Sequence, residues 1–235
     1  MRPLTNPSEL TVRLEGTGAA TTALVYAAAE PRVNAALILA HGAGAGQRST
    51  FMVDFARALS AMGADVITFN FLYTEQHRKI PDRAPTLEAC YRAAIDAVRQ
   101  QVVAARRSLF IGGKSMGGRI ATQVAAADPR LDLAGLVLLG YPLHPPGKPE
   151  QRRDKHLPAV ARPMLFIQGN RDAFGTPAEL APVVGALQPP PVLHVVANGD
   201  HSFKLSRKDP KAQAAVYADV QRAIIDFIAQ TSHQR

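Results

Sequence analysis

Cysteine is nearly absent from this 235-residue chain, Cys90 being the only one. No disulfide can form within it, and nothing in the composition points to an oxidising compartment. Cys90 lies among small and apolar residues at helical spacing with no base nearby in sequence, so a buried structural thiol is expected. Long apolar runs are missing too: no segment approaches the roughly 20 residues of a membrane-spanning helix. Residues 1–10 carry two prolines and no continuous apolar stretch, the character of neither a signal peptide nor an anchor. A cytoplasmic protein without membrane attachment is the expectation. There is also no repeat, low-complexity block or linker, and 47% of the residues are hydrophobic. A single domain over 1–235 with one sizeable core is expected.

Acidic residues are in deficit, 19 against 27 basic ones, for a formal net charge of +8. The basic clusters are Arg106-Arg107, Arg152-Arg153 with Lys155, and Arg207-Lys208 with Lys211. They are short, lack interleaved aromatics and fall at the ends of expected elements, which reads as solvated surface rather than a nucleic-acid footprint. A preference for anionic substrates stays open.

Strand-like and helix-like runs alternate along the chain. Residues 10–15 and 22–28 read as two opening strands forming an antiparallel edge. Ala35 to Ala40 is a continuous apolar run of the kind buried on both faces, and it feeds a Gly-rich loop from His41 to Gly46. Helices are expected at 50–62, 86–103, 116–127, 177–187 and 210–230, the last opened by Asp209-Pro210 as N-cap and first-turn proline. Further strands are expected at 64–71, 108–112, 133–139, 164–168 and 192–196. The connection from Leu72 to Pro85 exceeds the usual strand-to-helix length and is a candidate functional loop, with Tyr73 a candidate substrate contact. This alternation implies an α/β fold with a mainly parallel central sheet and helices on both faces.

The strongest local signal is Gly113-Lys114-Ser115-Met116-Gly117, a G-x-S-x-G string where an expected strand meets an expected helix. A chain that turns sharply there holds its serine strained and exposed, and the flanking glycines avoid collisions. A phosphate-binding loop fails, because the glycine that motif needs first falls at Ser108. A dinucleotide fingerprint in the earlier loop fails because Gln47 stands at its final glycine position.

A serine hydroxyl needs a base, and the base needs a group that fixes its tautomer. On this scaffold the partners follow in the order serine, acid, histidine. Asp172 lies just beyond the strand ending near Gln168, and His201 just beyond the one ending near Val196, on the sheet edge that also carries Ser115. His41 follows a strand as well but precedes Ser115, so it reads as a loop-fixing residue. Asp200, adjacent to His201, suits a turn better than the acid role. Donors for a developing oxyanion are expected from the amides of Met116 and Ala43, with Gly42 beside them a candidate substrate contact. No metal or cofactor is called for.

These strings, together with His41-Gly42-Ala43-Gly44-Ala45-Gly46 and Gly199-Asp200-His201, resemble the α/β-hydrolase superfamily, specifically its dienelactone-hydrolase-like branch. That branch contains many bacterial proteins of unassigned substrate and the hydrolase-like domain of a eukaryotic chromatin-complex subunit. The resemblance spans about Ala35 to the last helix. It implies a triad of Ser115, Asp172 and His201, an oxyanion hole at Ala43 and Met116, and a site lined by Tyr141 to Gly147, where His144 touches substrate or stabilises the loop. It implies no large cap domain, since only a short Pro-rich, basic segment separates Leu139 from Met164. The expected activity is hydrolysis of a small carboxylic ester or thioester. The alternative is a non-catalytic module of the same fold that binds a protein or polyanionic partner. Oligomeric state has no signal in the sequence.

Overall fold

The computed structural model describes residues 6–233, so part of the 1–10 segment discussed above lies outside the described residues. In chain order the elements are β1 (Ser8–Arg13), β2 (Ala20–Tyr26), β3 (Ala36–Ala40), α1 (Thr50–Ala61), β4 (Asp65–Phe69), α2 (Leu72–Glu75), α3 (Ala84–Gln101) and α4 (Val103–Arg107). They continue with β5 (Leu109–Lys114), α5 (Met116–Ala127), β6 (Gly135–Leu139), a 3-10 turn (Leu157–Ala159), β7 (Met164–Gly169), α6 (Pro177–Gly185), β8 (Val192–Val196) and α7 (Pro210–His233).

The strands form one eight-stranded sheet in the order β1-β2-β4-β3-β5-β6-β7-β8. β1 with β2 and β2 with β4 are antiparallel, and all other pairs are parallel. This is the mainly parallel α/β sheet expected from the alternation, with the antiparallel edge at the start of the chain as expected. β3, β5, β6 and β7 are buried along their whole length, as strands covered on both faces must be. One face packs Met52 and Phe55 of α1 with Val220 and Ile224 of α7. The other packs Cys90 and Tyr91 of α3, Ile120 and Val124 of α5 and Leu180 of α6. Each such side chain removed from water contributes roughly 1.5–3 kcal/mol before entropy is counted.

Local chemistry sets the helix starts. Asp209 Oδ1 accepts from the amides of Lys211 and Ala212, both at 3.0 Å, as an N-cap should. Thr176 and Glu179 form a reciprocal capping box on α6. The Leu72–Pro85 connection differs from expectation: it opens with the short helix α2, and α3 begins at Ala84, because extended Arg83 caps it and Pro85 fits its first turn. Between β6 and β7 the chain forms only the 3-10 turn, so among the described residues no cap domain is inserted between these strands. Among the described residues no helix is long and apolar enough to cross a membrane.

Strand order places the site. β4 and β5 lie on opposite sides of β3, so the loops leaving β3 and β5 part at their carboxyl ends and leave a crevice, the usual ligand position in open α/β sheets. β5 runs two residues further than the sequence suggests, and its glycines let backbone pack directly on backbone. A Cβ on Gly112 would stand 1.9 Å from the Val137 carbonyl oxygen, and one on Gly117 would stand 2.3 Å from that of Ala40. Both obstacles are sheet backbone, which cannot move aside. Gly112→Ala is therefore expected to cost about 3 kcal/mol or more, read as a lowered urea midpoint; an unchanged midpoint would contradict this packing.

Candidate active site

Ser115 occupies the single position between β5 and α5, with φ 52° and ψ −114°. A non-glycine residue rarely adopts such a backbone, at a cost of about 1–3 kcal/mol that the surrounding structure must offset. The strain is held from both sides: the Ser115 amide donates to Leu139 O at 2.9 Å, and its carbonyl accepts from the Arg119 amide at 3.1 Å. The hydroxyl is thereby presented at the carboxyl edge of the sheet rather than packed beneath it.

His201 arrives from the loop after β8 and Asp172 from the loop after β7. Ser115 Oγ and His201 Nε2 are 2.8 Å apart, and His201 Nδ1 lies 2.9 and 2.8 Å from the two carboxylate oxygens of Asp172. A carboxylate only accepts, so Nδ1 carries the proton, and Nε2 is left with a lone pair aimed at the serine hydroxyl. The Asp172 side chain is fully buried while that of His201 is 21% exposed. The carboxyl group thus sits deep and the imidazole nearer the surface. Two further donors hold the carboxylate: Gln168 Nε2 to Oδ2 at 2.9 Å and the Phe174 amide to Oδ1 at 2.8 Å. The Phe174 ring stacks on the imidazole at 4.2 Å between centroids.

A cavity of about 580 Å³ opens over this row, walled by Gly42, Ala43, Ser115, Met116, Phe174 and His201 among others. The Ala43 and Met116 amides have no acceptor among the described residues, Met116 because it begins a helix. Both are free to donate to an oxygen held at Ser115.

The other sequence candidates lie elsewhere. Tyr73 does not reach this cavity: it is buried in α2, edge-on to His41, and lines a separate cavity of about 710 Å³ with Gly44, Thr74 and His77. The connection that suggested a loop side chain folds into helix there, which turns Tyr73 inward. His144 is also off the cavity wall. It is buried, with Nδ1 2.9 Å from Pro145 O and Nε2 3.2 Å from Glu179, and so ties its loop to α6. His41 Nε2 accepts from the Phe71 amide at 3.2 Å while Nδ1 donates to Gly42 O at 2.8 Å, the loop-fixing role expected of it. Burial lowers its pKa, in keeping with a neutral ring. Asp200 Oδ1 accepts from the amides of Ser202 and Lys204, a turn. Cys90 is buried, and burial pushes its thiol up to about 12, too high for a nucleophile at neutral pH.

Sequence reasoning missed Gln168, Phe174 and Lys114. A lone glutamine closing a buried apolar strand signals an internal partner, and Gln168 proves to bridge Asp172, Tyr141 and Gly175. Lys114, the variable residue before the serine, is buried and donates from Nζ to His201 O at 2.6 Å. Burial holds its amine down to about 8, partly opposed by the charges of Asp172 and Asp200. Between that value and the ordinary 10.5, the folded chain binds fewer protons at Lys114 than the unfolded chain. This residue therefore makes stability rise with pH across roughly 8 to 10.5, by at most about 3 kcal/mol. Lys114→Met is expected to lose that rise. Urea unfolding of both proteins at pH 7.5 and 10 tests it, and parallel pH responses would refute it.

The fold recurs widely among solved structures. Dienelactone hydrolase from Anabaena variabilis is 19% identical with a TM-score of 0.72, over 94% of this chain and 99% of that one. A serine hydrolase without a lid from Xanthomonas campestris is 24% identical with a TM-score of 0.67, over 93% of this chain and 95% of that one. Est1E from Butyrivibrio proteoclasticus, bound to ferulic acid, is 14% identical with a TM-score of 0.69, over 94% of this chain and 99% of that one. At these identities the likeness concerns the fold. Sequence comparison supplies the family: the alpha/beta hydrolase domain family matches residues 33–229, most of the chain, and the protein belongs to it.

Proposed function

We propose that the protein is a serine hydrolase that cleaves a carboxylic ester or thioester through an acyl-enzyme on Ser115. The observation that carries this reading is the unbroken row from buried Asp172 through His201 to a strained Ser115, each link at 2.8 Å. A binding module gains nothing from a strained serine whose proton faces a correctly oriented imidazole. Such strain persists where chemistry uses it.

In the proposed reaction His201 Nε2 takes the Ser115 proton as Oγ attacks the carbonyl carbon, and the carbonyl oxygen becomes an oxyanion facing the Ala43 and Met116 amides. Collapse of the tetrahedral species breaks the bond to the alcohol or thiol, which leaves with the proton from His201. Water then attacks the acyl-enzyme, giving its proton to Nε2, and the acid departs as Ser115 recovers its hydrogen. Asp172 stays ionised throughout and stabilises the imidazolium. A cavity of about 580 Å³ has room for a small acyl group, and Est1E binding ferulic acid is in keeping with a carboxylic acid product.

A panel of aryl and alkyl esters, acyl thioesters, lactones and anilides, assayed by initial rates, tests the assignment. Turnover of esters or thioesters with release of the free acid is expected, and no turnover of any member by well-folded protein would overturn it.

A further inference from the structure

Two arginines from separate parts of the chain reach the Ser115 cavity. Arg119 stands four residues beyond Ser115 on α5, on the same helix face and on the order of 6 Å along the axis. Arg153 comes from the segment between β6 and β7. Both are half-buried.

Neither guanidinium has a carboxylate partner among the described residues. Arg119 Nη1 makes one long contact, 3.4 Å to Gln123 Oε1, and its Nε is buried without any partner. Arg153 is tied only through its backbone, its amide donating to Leu143 O and its carbonyl accepting from the Tyr141 hydroxyl. The two cations also oppose each other: burial, and then the charge of Arg153, push Arg119 below the usual arginine value.

The acids nearby are engaged elsewhere. Asp82, also on the cavity wall, pairs with Arg78 at 2.6 Å and accepts from the Tyr73 amide. Asp154 pairs with Arg152, Asp172 with His201 and Glu179 with His144. Glu88 acts on Arg119 only through space. Lys114 adds a third cation to the same wall. A cavity that desolvates unpaired like charges carries an energetic cost, which a bound anion relieves with charge-assisted, forked hydrogen bonds.

We infer that Arg119 and Arg153 form an anion subsite, and that the substrate is an ester or thioester bearing a second, anionic group, carboxylate or phosphoryl, held there while its carbonyl lies at Ser115. This rests on the serine-hydrolase reading for its chemistry, though not for its binding.

The test compares kcat/KM for phenyl hemiglutarate and phenyl 4-phosphonobutyrate with their neutral methyl esters, matched in length. The native protein is expected to prefer at least one anionic form roughly tenfold or more at low salt, with the preference shrinking at 0.5 M NaCl. The favoured arm separates carboxylate from phosphoryl recognition. Arg119→Gln and Arg153→Gln are each expected to bring the ratio toward one, and Arg119→Lys to retain part of it. The ratio is measured within each variant, so partial unfolding cancels. A ratio near one in the native protein, or one unchanged in both glutamine variants, overturns the subsite.

If no ester is turned over and Ser115 does not react with an acylating probe, the hydrolase reading fails. The subsite is then decided by calorimetric titration of native protein with phenyl hemiglutarate. Binding weakened in both glutamine variants upholds it, and no binding refutes it.

Discussion

Ser115→Ala is expected to lower kcat on any ester the native protein cleaves by about a millionfold, leaving KM within a few-fold and the melting temperature unchanged or raised. The size follows from the row of hydrogen bonds: without Oγ no acyl-enzyme can form, and only the amides of Ala43 and Met116 and the cavity itself remain to assist water. The unchanged fold follows from geometry, since alanine removes an oxygen that faces the cavity, while the backbone strain is held by Leu139 O and the Arg119 amide. His201→Ala is expected to fall about as far, and the double variant no further, because residues acting as a unit do not contribute additively. A Ser115→Ala protein retaining a tenth of native activity would place the chemistry elsewhere.

Asp172→Asn is expected to cost about ten-thousandfold in kcat. Asp172 uses both oxygens: one receives Phe174 N and the other Gln168 Nε2, while both lie near His201 Nδ1. Asparagine replaces one acceptor with an NH2, so a donor must face a donor at Phe174, Gln168 or His201. Where the NH2 faces Nδ1, the clash at His201 is relieved by moving the imidazole proton to Nε2, which can then no longer accept from Ser115. Loss of activity in a variant that still melts cooperatively is the expected pair of observations, to be read by circular dichroism beside the assay. A modest loss, under about tenfold, would mean that Asp172 does not orient the histidine.

Much of this site was legible because its parts are local and chemically unusual. Gly113 and Gly117 around Ser115 announce a turn in which backbone meets backbone, and the structure puts Ala40 O against both. Asp172 and His201 each follow a fully or partly apolar run, and strands of a parallel sheet deliver such positions to one edge. The parallel sheet itself was readable from apolar runs such as Ala36–Ala40.

What stayed hidden depends on long-range packing. Tyr73 reads as a loop residue until α2 folds and turns its ring against His41. His144 reads equally as a substrate contact or a loop tie, and Glu179, distant in sequence, decides where its Nε2 points. Arg153 belongs to a run that looks like solvated surface, and only the course of the β6-β7 segment carries it to the cavity beside Arg119. Local pattern does not encode which of several surface cations ends beside Ser115.

Whether Ser115 is an activated nucleophile is tested, without knowledge of the substrate, by intact-mass analysis after incubation with a fluorophosphonate. One adduct per chain, located to Ser115, is expected on the native protein and none on Ser115→Ala. Well-folded native protein that takes up no label, or takes it up equally in the Ser115→Ala variant, would contradict it.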